Sequence, residues 1–217
     1  MKQLSFCKVN GWGGKRARAG RKNRTGLVSH GKREAISLKT PLHITLKLKP
    51  RTAHLRNRTL LKEFRRALLR AKKFGLNVIH YSVQGDHVHM ITEATDGRAL
   101  ASGMKSFGSI FGKAIRKVVG GAGGVFNGRY HVHILKSPTE MKRALQYVLL
   151  NFSKHSKLVE YIDEFTSGNA FKEWRELLES EINHMLADCI EESWRFEHPE
   201  VARPRSWLAR EGWKRAA

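Results

Sequence analysis

Two histidines separated by one residue form the pattern in this chain that is best suited to chemistry. His87-Val88-His89 lies in an alternating stretch typical of a β-strand, in which every second side chain points to the same face. Both imidazoles would therefore be directed at one spot, where they form half of a metal site. The alternative is a pair of histidines on the polar face of a strand, with no ligand role.

A tyrosine on a predicted helix is the second candidate. The helix is expected over 137–157, and one of its faces is apolar at helical spacing through Met141, Leu145, Val148, Leu149 and Phe152. Tyr147 falls on a polar stripe roughly opposite, with Arg143, Asn151 and Lys154. Tyr147 is therefore either available for chemistry or an exposed tyrosine without a function.

The elements that must position these residues follow from hydrophobic periodicity. Strands are predicted over 42–48, 77–83, 87–92 and 131–135, and two helices over 60–71 and 99–119. The order β-α-β-β-α-β predicts an α+β, ferredoxin-like (RRM-like) antiparallel sheet with both helices on one face. The other face is then free for the helix that carries Tyr147.

Charge is distributed unevenly along the chain. The net charge is +22, but residues 1–159 carry +27, residues 160–200 carry −9 and residues 201–217 carry +4. Such an excess of Lys and Arg favours a polyanionic partner, because neutralised phosphates release their counterions. Nucleic acid is the expected partner, and an anionic membrane surface or a ribosome-type environment is the alternative.

Composition divides the chain into four regions. Residues 1–37 are predicted to be a flexible basic arm, 38–159 the central domain, 160–200 an acidic amphipathic helical segment and 201–217 a basic C-terminal tail. The arm contributes the candidate DNA contacts Arg16, Arg18, Arg21 and Lys22. The acidic segment is either a peripheral helix or a device that limits non-specific DNA binding.

Two classes of protein are disfavoured. No apolar run approaches the roughly 20 residues that span a bilayer, and the first residues have no signal-peptide pattern, so a cytoplasmic protein without membrane partners is expected. Cys7 and Cys189 are far apart, which indicates neither a disulfide framework nor a thiolate zinc site.

Three motifs in order resemble the single-tyrosine HUH transposases, in particular the REP-associated tyrosine transposase group. They are Asp86-His87-Val88-His89-Met90, then Val125-Phe126-Asn127-Gly128-Arg129-Tyr130-His131, and finally Tyr147-Val148-Leu149-Leu150-Asn151. The match spans residues 38–157. The resemblance extends more weakly to the Gly- and Arg-rich N terminus and to 201–208.

The resemblance implies an enzyme in which Tyr147 attacks a DNA phosphodiester and forms a 5′-phosphotyrosine intermediate. His87 and His89 would bind a divalent cation, with Asn151 as the third ligand, and the sequence does not choose between magnesium and manganese. No nucleotide cofactor is needed. The implied partner is single-stranded or hairpin DNA with palindromic repeats, whereas monomer and dimer both stay open.

Some residues depart from the family pattern or have other expected roles. Asp86 stands where the family usually has Asn, and Gly128 where an acidic residue is common. A second pair, His131 and His133, is expected to be structural, and Tyr130 to serve packing or DNA contact. The remaining candidate phosphate contacts are Lys105, Lys113, Arg116, Arg129, Arg143 and Lys154.

The leading prediction is thus metal-dependent cleavage and strand transfer of single-stranded DNA. The alternative is an RRM-like nucleic-acid-binding protein, or a domesticated relative that no longer cleaves.

Overall fold

A computed structural model describes residues 34–156, 162–178 and 198–216, without the side chains of 152–156. Four strands form one sheet in the order β2-β3-β1-β4. They are β1 (Leu42–Lys47), β2 (Asn77–Val83), β3 (His87–Glu93) and β4 (His131–Ile134). All three neighbouring pairs are antiparallel, which confirms the ferredoxin-like α+β fold.

Three long helices accompany the sheet: α1 (Arg58–Lys72), α2 (Gly97–Val119) and α3 (Pro138–Ser156). The N-cap side chains Asn57 and Asp96 accept backbone hydrogen bonds at the starts of α1 and α2. At the start of α3, the Ser137 hydroxyl accepts from the Glu140 N–H at 3.2 Å, and the Glu140 carboxylate accepts from the Ser137 N–H at 3.3 Å. This reciprocal capping box begins the helix where the sequence predicts it.

The alternation of β1 and β3 separates two cores. Leu42, Ile44, Leu46, Val88 and Met90 pack against α1 and α2 in one apolar cluster. On the opposite face, Ile79 and Ile91 pack against α3 in a second cluster. Helix α3 therefore lies on the sheet face left uncovered by α1 and α2, as predicted.

The edge strand β2 contains a bulge and is covered by later parts of the chain. Val78 pairs with Thr92 and His80 with Ile91, so Ile79 is the extra residue. Phe165, Ser167 and Ala202 make backbone hydrogen bonds to β2 at 2.7–3.0 Å. These contacts occupy polar groups that an open edge would expose.

The C-terminal residues are packed against the domain, unlike a loose basic tail. A short helix at Trp207–Arg210 and a 3₁₀ turn at Gly212–Arg215 contribute Leu208 and Trp213 to the second cluster. The buried Glu93 carboxylate accepts from the backbone N–H groups of Arg205 and Ser206 at 2.9 and 2.8 Å. The segment lacks a long hydrophobic period, so the sequence gives little sign of this packing.

Only the beginning of the acidic segment is described. It contains a 3₁₀ turn at Gly168–Ala170 and one helical turn at Trp174–Leu177, whose Trp174 and Leu177 are buried in the second cluster. The predicted helix over the rest of this segment, like the basic arm up to residue 33, lies outside the described residues. No helix within the described ranges is long and apolar enough to span a membrane.

Candidate active site

The two motif histidines share a sheet face with side chains from the neighbouring strand. His87 and His89 alternate with the core residue Val88 on β3. Thr45 of β1 is paired with His89, and His43 lies two residues before Thr45 on the same face. Antiparallel pairing of the two central strands thus gathers these polar side chains over the middle of the sheet.

His89 is the centre of this cluster. Its Nδ1 atom lies 3.2 Å from both His43 Nε2 and Thr45 Oγ1, and its Nε2 atom lies 3.3 Å from the Tyr147 hydroxyl. The fold therefore brings together Tyr147 and His89, which are 58 residues apart in sequence.

Tyr147 reaches the cluster because α3 crosses this face with its apolar side packed on the second core. The tyrosine ring meets the His89 ring edge-on, with centroids 4.8 Å apart and an interplanar angle of 82°. It remains 39 % exposed, whereas Val148 and Leu149 are buried. The sequence prediction that Tyr147 lies off the apolar stripe is confirmed.

Two of the clustered imidazoles are held neutral. Burial, with the charges of His87 and His43, lowers the pKa of His89 to about 3. Burial, with the charges of His133 and His131, lowers the pKa of His43 to about 4. A neutral imidazole retains a lone pair, which is the form that binds a metal ion.

Asp86 orients the outer histidine. Its carboxylate lies 2.6 Å from His87 Nδ1 and 3.5 Å from Lys47 Nζ. The hydrogen bond to His87 is the main reason why the pKa of Asp86 lies below its usual value. The carboxylate at this departure from the family pattern is therefore engaged with two neighbours.

The residues fit a divalent ion. With Nδ1 of His87 facing Asp86, Nε2 is directed away and can serve as a ligand, a common carboxylate-histidine arrangement at metal sites. The rings of His87 and His89 are 4.7 Å apart and nearly perpendicular. Within the described parts of the chain, no three His, Cys, Asp or Glu side chains form a metal-binding group, so further ligands must be of another type.

Asn151 supplies an amide of the required kind, but its surroundings differ from those expected. It is only 5 % exposed rather than on a solvated polar stripe. At 3.6 residues per turn, Asn151 is rotated about 40° from Tyr147 toward the buried face of α3. That rotation explains why two residues one helical turn apart differ so much in exposure.

The second histidine pair is exposed rather than structural. His131 and His133 of β4 pair with Thr45 and His43, so they border the same cluster, and Val132 between them packs on the first core. The expectation of a structural pair was wrong because β4 is an edge strand whose outward face α3 covers only in part. Tyr130 packs against the first core, in agreement with a packing role.

The predicted DNA contacts lie on both sides of the sheet. Arg143, one turn before Tyr147, lines a groove of about 430 Å³ together with His43, His133 and Tyr147. Lys105, Lys113 and Arg116 belong to α2 on the opposite face, and Arg116 donates to the Gly123 carbonyl at 2.7 Å. Arg129 lies just before β4. The remaining candidates, Arg16, Arg18, Arg21, Lys22 and the Lys154 side chain, lie outside the described residues.

Sequence reasoning missed His43 and Thr45. A signal for them exists, because Leu42-His43-Ile44-Thr45-Leu46-Lys47 alternates apolar and polar residues along a whole strand. One of its faces must carry the histidine and the threonine together. What the sequence lacks is the register that places that face beside His89.

Comparisons with known proteins reveal one informative likeness. A solved structure of the REP-associated tyrosine transposase bound to a REP hairpin matches with a TM-score of 0.54, covering 70 % of this chain and 89 % of that one at 18 % identity. The two proteins share a fold. No protein-family model and no curated protein matches the sequence.

Proposed function

We propose that this protein is a transposase-like enzyme that cleaves and transfers single strands of DNA through a 5′-phosphotyrosine on Tyr147. The observation that carries the proposal is the 3.3 Å approach of the Tyr147 hydroxyl to His89 within a cluster of neutral histidines. The fold shared with a transposase that binds a REP hairpin supports hairpin or palindromic repeat DNA as the substrate.

The reaction is a transesterification. The Tyr147 oxygen forms a bond to the scissile phosphorus, the bond from phosphorus to the 3′ oxygen breaks, and the tyrosine proton ends on the released 3′-hydroxyl. A 3′-hydroxyl from another strand reverses the step and completes the transfer. His89 is a poor proton acceptor because of its low pKa, so its role is to position the tyrosine and to bind metal.

A divalent ion would be held by His87, His89 and the Asn151 amide, and it would draw charge from the scissile phosphate. Magnesium and manganese are both candidates. Asp86 keeps His87 in the tautomer with a free Nε2, while His43 and Thr45 occupy the Nδ1 side of His89.

The groove beside Tyr147 is suited to the strand on either side of the scissile phosphate. Arg143 is exposed there and can neutralise a neighbouring phosphate. His133 and His43 line the same groove, so nucleotides reach Tyr147 along an open surface.

Cleavage of a labelled hairpin DNA by single variants tests the metal ligands. His87→Ala and His89→Ala should abolish cleavage in magnesium or manganese while DNA affinity changes little, because affinity resides mainly in basic groups. His131→Ala and His133→Ala are matched controls on the exposed pair and should still cleave. The reverse pattern, with cleavage lost only in the control variants, would show that the wrong pair is assigned.

A further inference from the structure

A second cavity lies on the β2 side of the second core, apart from Tyr147. Its volume is about 980 Å³, and its walls come from β2, from residues 169–173 and from residues 198–213. His87, His89 and Tyr147 do not line it. The volume is at the upper end of the range for small-molecule sites in proteins.

One side chain in this cavity has an unused hydrogen-bonding atom. His198 lines the cavity, its side chain is only 3 % exposed, and its Nδ1 atom lies 2.9 Å from Glu200 Oε1. Among the described residues, the buried Nε2 atom of His198 has no hydrogen-bond partner. Buried polar atoms without partners are uncommon, because leaving them unpaired is costly.

The carboxylate of Glu200 determines which proton His198 carries. Glu200 is fixed by the Tyr81 hydroxyl at 2.8 Å and by Arg65 Nε at 3.3 Å. Since a carboxylate accepts, the neutral His198 ring donates from Nδ1 and leaves a lone pair on Nε2. The atom left without a partner is therefore an acceptor that suits an N–H or O–H donor of a ligand.

The rest of the lining combines an apolar wall with a basic rim. Ile79, Phe171 and Trp213 supply apolar surface, and the exposed Arg203 and Arg210 supply positive charge. Glu173 is the single acid among the described lining residues. An apolar ring that carries N–H donors and a phosphate matches these three features together.

We propose that this cavity binds one unpaired nucleotide of the DNA strand that the protein holds, with the base donating a hydrogen bond to His198 Nε2 and its phosphate near Arg203 and Arg210. The inference rests on the proposed function, since it assumes a bound DNA strand. It assigns the cavity to recognition of DNA outside the cleavage site.

An abasic scan tests the assignment. The probe is a DNA hairpin with single-stranded flanks of mixed sequence, in which each flank nucleotide in turn is replaced by an abasic residue. We expect one flank position at which the replacement weakens binding about tenfold, as is typical for the loss of one base contact. Equal affinity for every abasic probe would overturn the proposal.

Variants of the full chain then connect that position to the cavity. In His198→Asn, the amide can still donate to Glu200 but no longer presents an atom at the position of Nε2, so the abasic replacement should cost nothing further at the sensitive position. Arg203→Ala combined with Arg210→Ala should weaken binding of the intact probe, whereas Arg70→Ala on the exposed side of α1 is the charge-matched control. An abasic effect that persists unchanged in His198→Asn would refute the assignment.

The two proposals fail separately. Absence of a Tyr147 adduct on any hairpin contradicts the proposed function, while the binding scan can still be read. An adduct that forms normally, together with a scan unaffected by His198→Asn, contradicts only the nucleotide pocket. Unfolding midpoints of each variant establish that a loss of binding is not a loss of fold.

Discussion

Asp86 illustrates how one residue adjusts the candidate site. The family that the sequence resembles usually has Asn there, and a carboxylate adds negative charge close to a DNA phosphate. The structure gives that carboxylate a hydrogen bond with His87 at 2.6 Å and an ion pair with Lys47 at 3.5 Å. The charge therefore orients a candidate metal ligand instead of standing alone.

Replacing Asp86 by Ala should reduce the affinity for Mn²⁺ about 10- to 100-fold, the usual effect of removing a residue that orients a metal-binding histidine. Asp86→Asn should lose less, because its amide oxygen still accepts from His87. Calorimetric titration of Mn²⁺ measures both, and unchanged affinity in Asp86→Ala would assign the carboxylate a different role.

At this scale the sequence identifies some residues and misses others. His87, His89 and Tyr147 stand out because their spacing is regular and their types are reactive. His43 and His198 do not stand out, because each acquires its role from a partner distant in sequence or from a cavity. Asn151 is found by its spacing, but its burial depends on how α3 is rotated on the sheet.

Secondary-structure elements were the most predictable part of the molecule. The predicted strand over 77–83 coincides with β2, and the other strand and helix bounds differ by at most two residues. Strong periodicity and clear caps explain this agreement. The bulge at Ile79 has no local signal, because it arises from how β2 pairs with β3.

The close contact of α2 with the chain after α1 gives a test at the level of elements. A Cβ atom on Gly103 would collide with Leu76, whereas one on Gly97 would meet nothing within 4 Å. Gly103→Ala should destabilise the fold by about 1–3 kcal/mol through overpacking. Gly97→Ala is the control and should be neutral or slightly stabilising.

Denaturant unfolding of both variants measures the difference. Equal stabilities would mean that α2 does not approach Leu76 as closely as described, and the packing of the layer beneath the sheet would need revision.

The molecule as a whole combines a basic body with several neutral, buried histidines. His80 is fully enclosed beside Ser167, and burial, with the charge of His198, lowers its pKa to about 3. The unfolded chain binds a proton near pH 6.5 while the folded one does not. The free energy of unfolding must therefore fall as the pH drops from 6.5 toward 3.

Between pH 6.5 and pH 5, His80 should account for a loss of about 2 kcal/mol, since one group contributes about 1.4 kcal/mol per pH unit. His80→Gln should show a shallower fall than the wild type when unfolding is followed by denaturant titration at both pH values. His54→Gln, at an exposed ring, is the control. Identical slopes in His80→Gln and the wild type would contradict a neutral, buried His80.

The overall charge distribution could be predicted from the sequence, but the position of the C-terminal residues could not. Their basic composition suggests a tail, yet Glu93 and the second core hold them against the sheet. Contacts of this kind join residues more than a hundred positions apart, so neither periodicity nor composition reveals them.

The most direct test of the central claim is the mass of the covalent product. The full chain is incubated with hairpin DNA and Mn²⁺, digested with protease, and the peptide that contains Tyr147 is analysed by mass spectrometry. We predict a nucleotide joined through its 5′-phosphate to Tyr147, and no adduct in a Tyr147→Phe variant that folds normally. Cleavage by Tyr147→Phe, or an adduct on Tyr130 instead, would contradict the assignment of Tyr147 as the nucleophile.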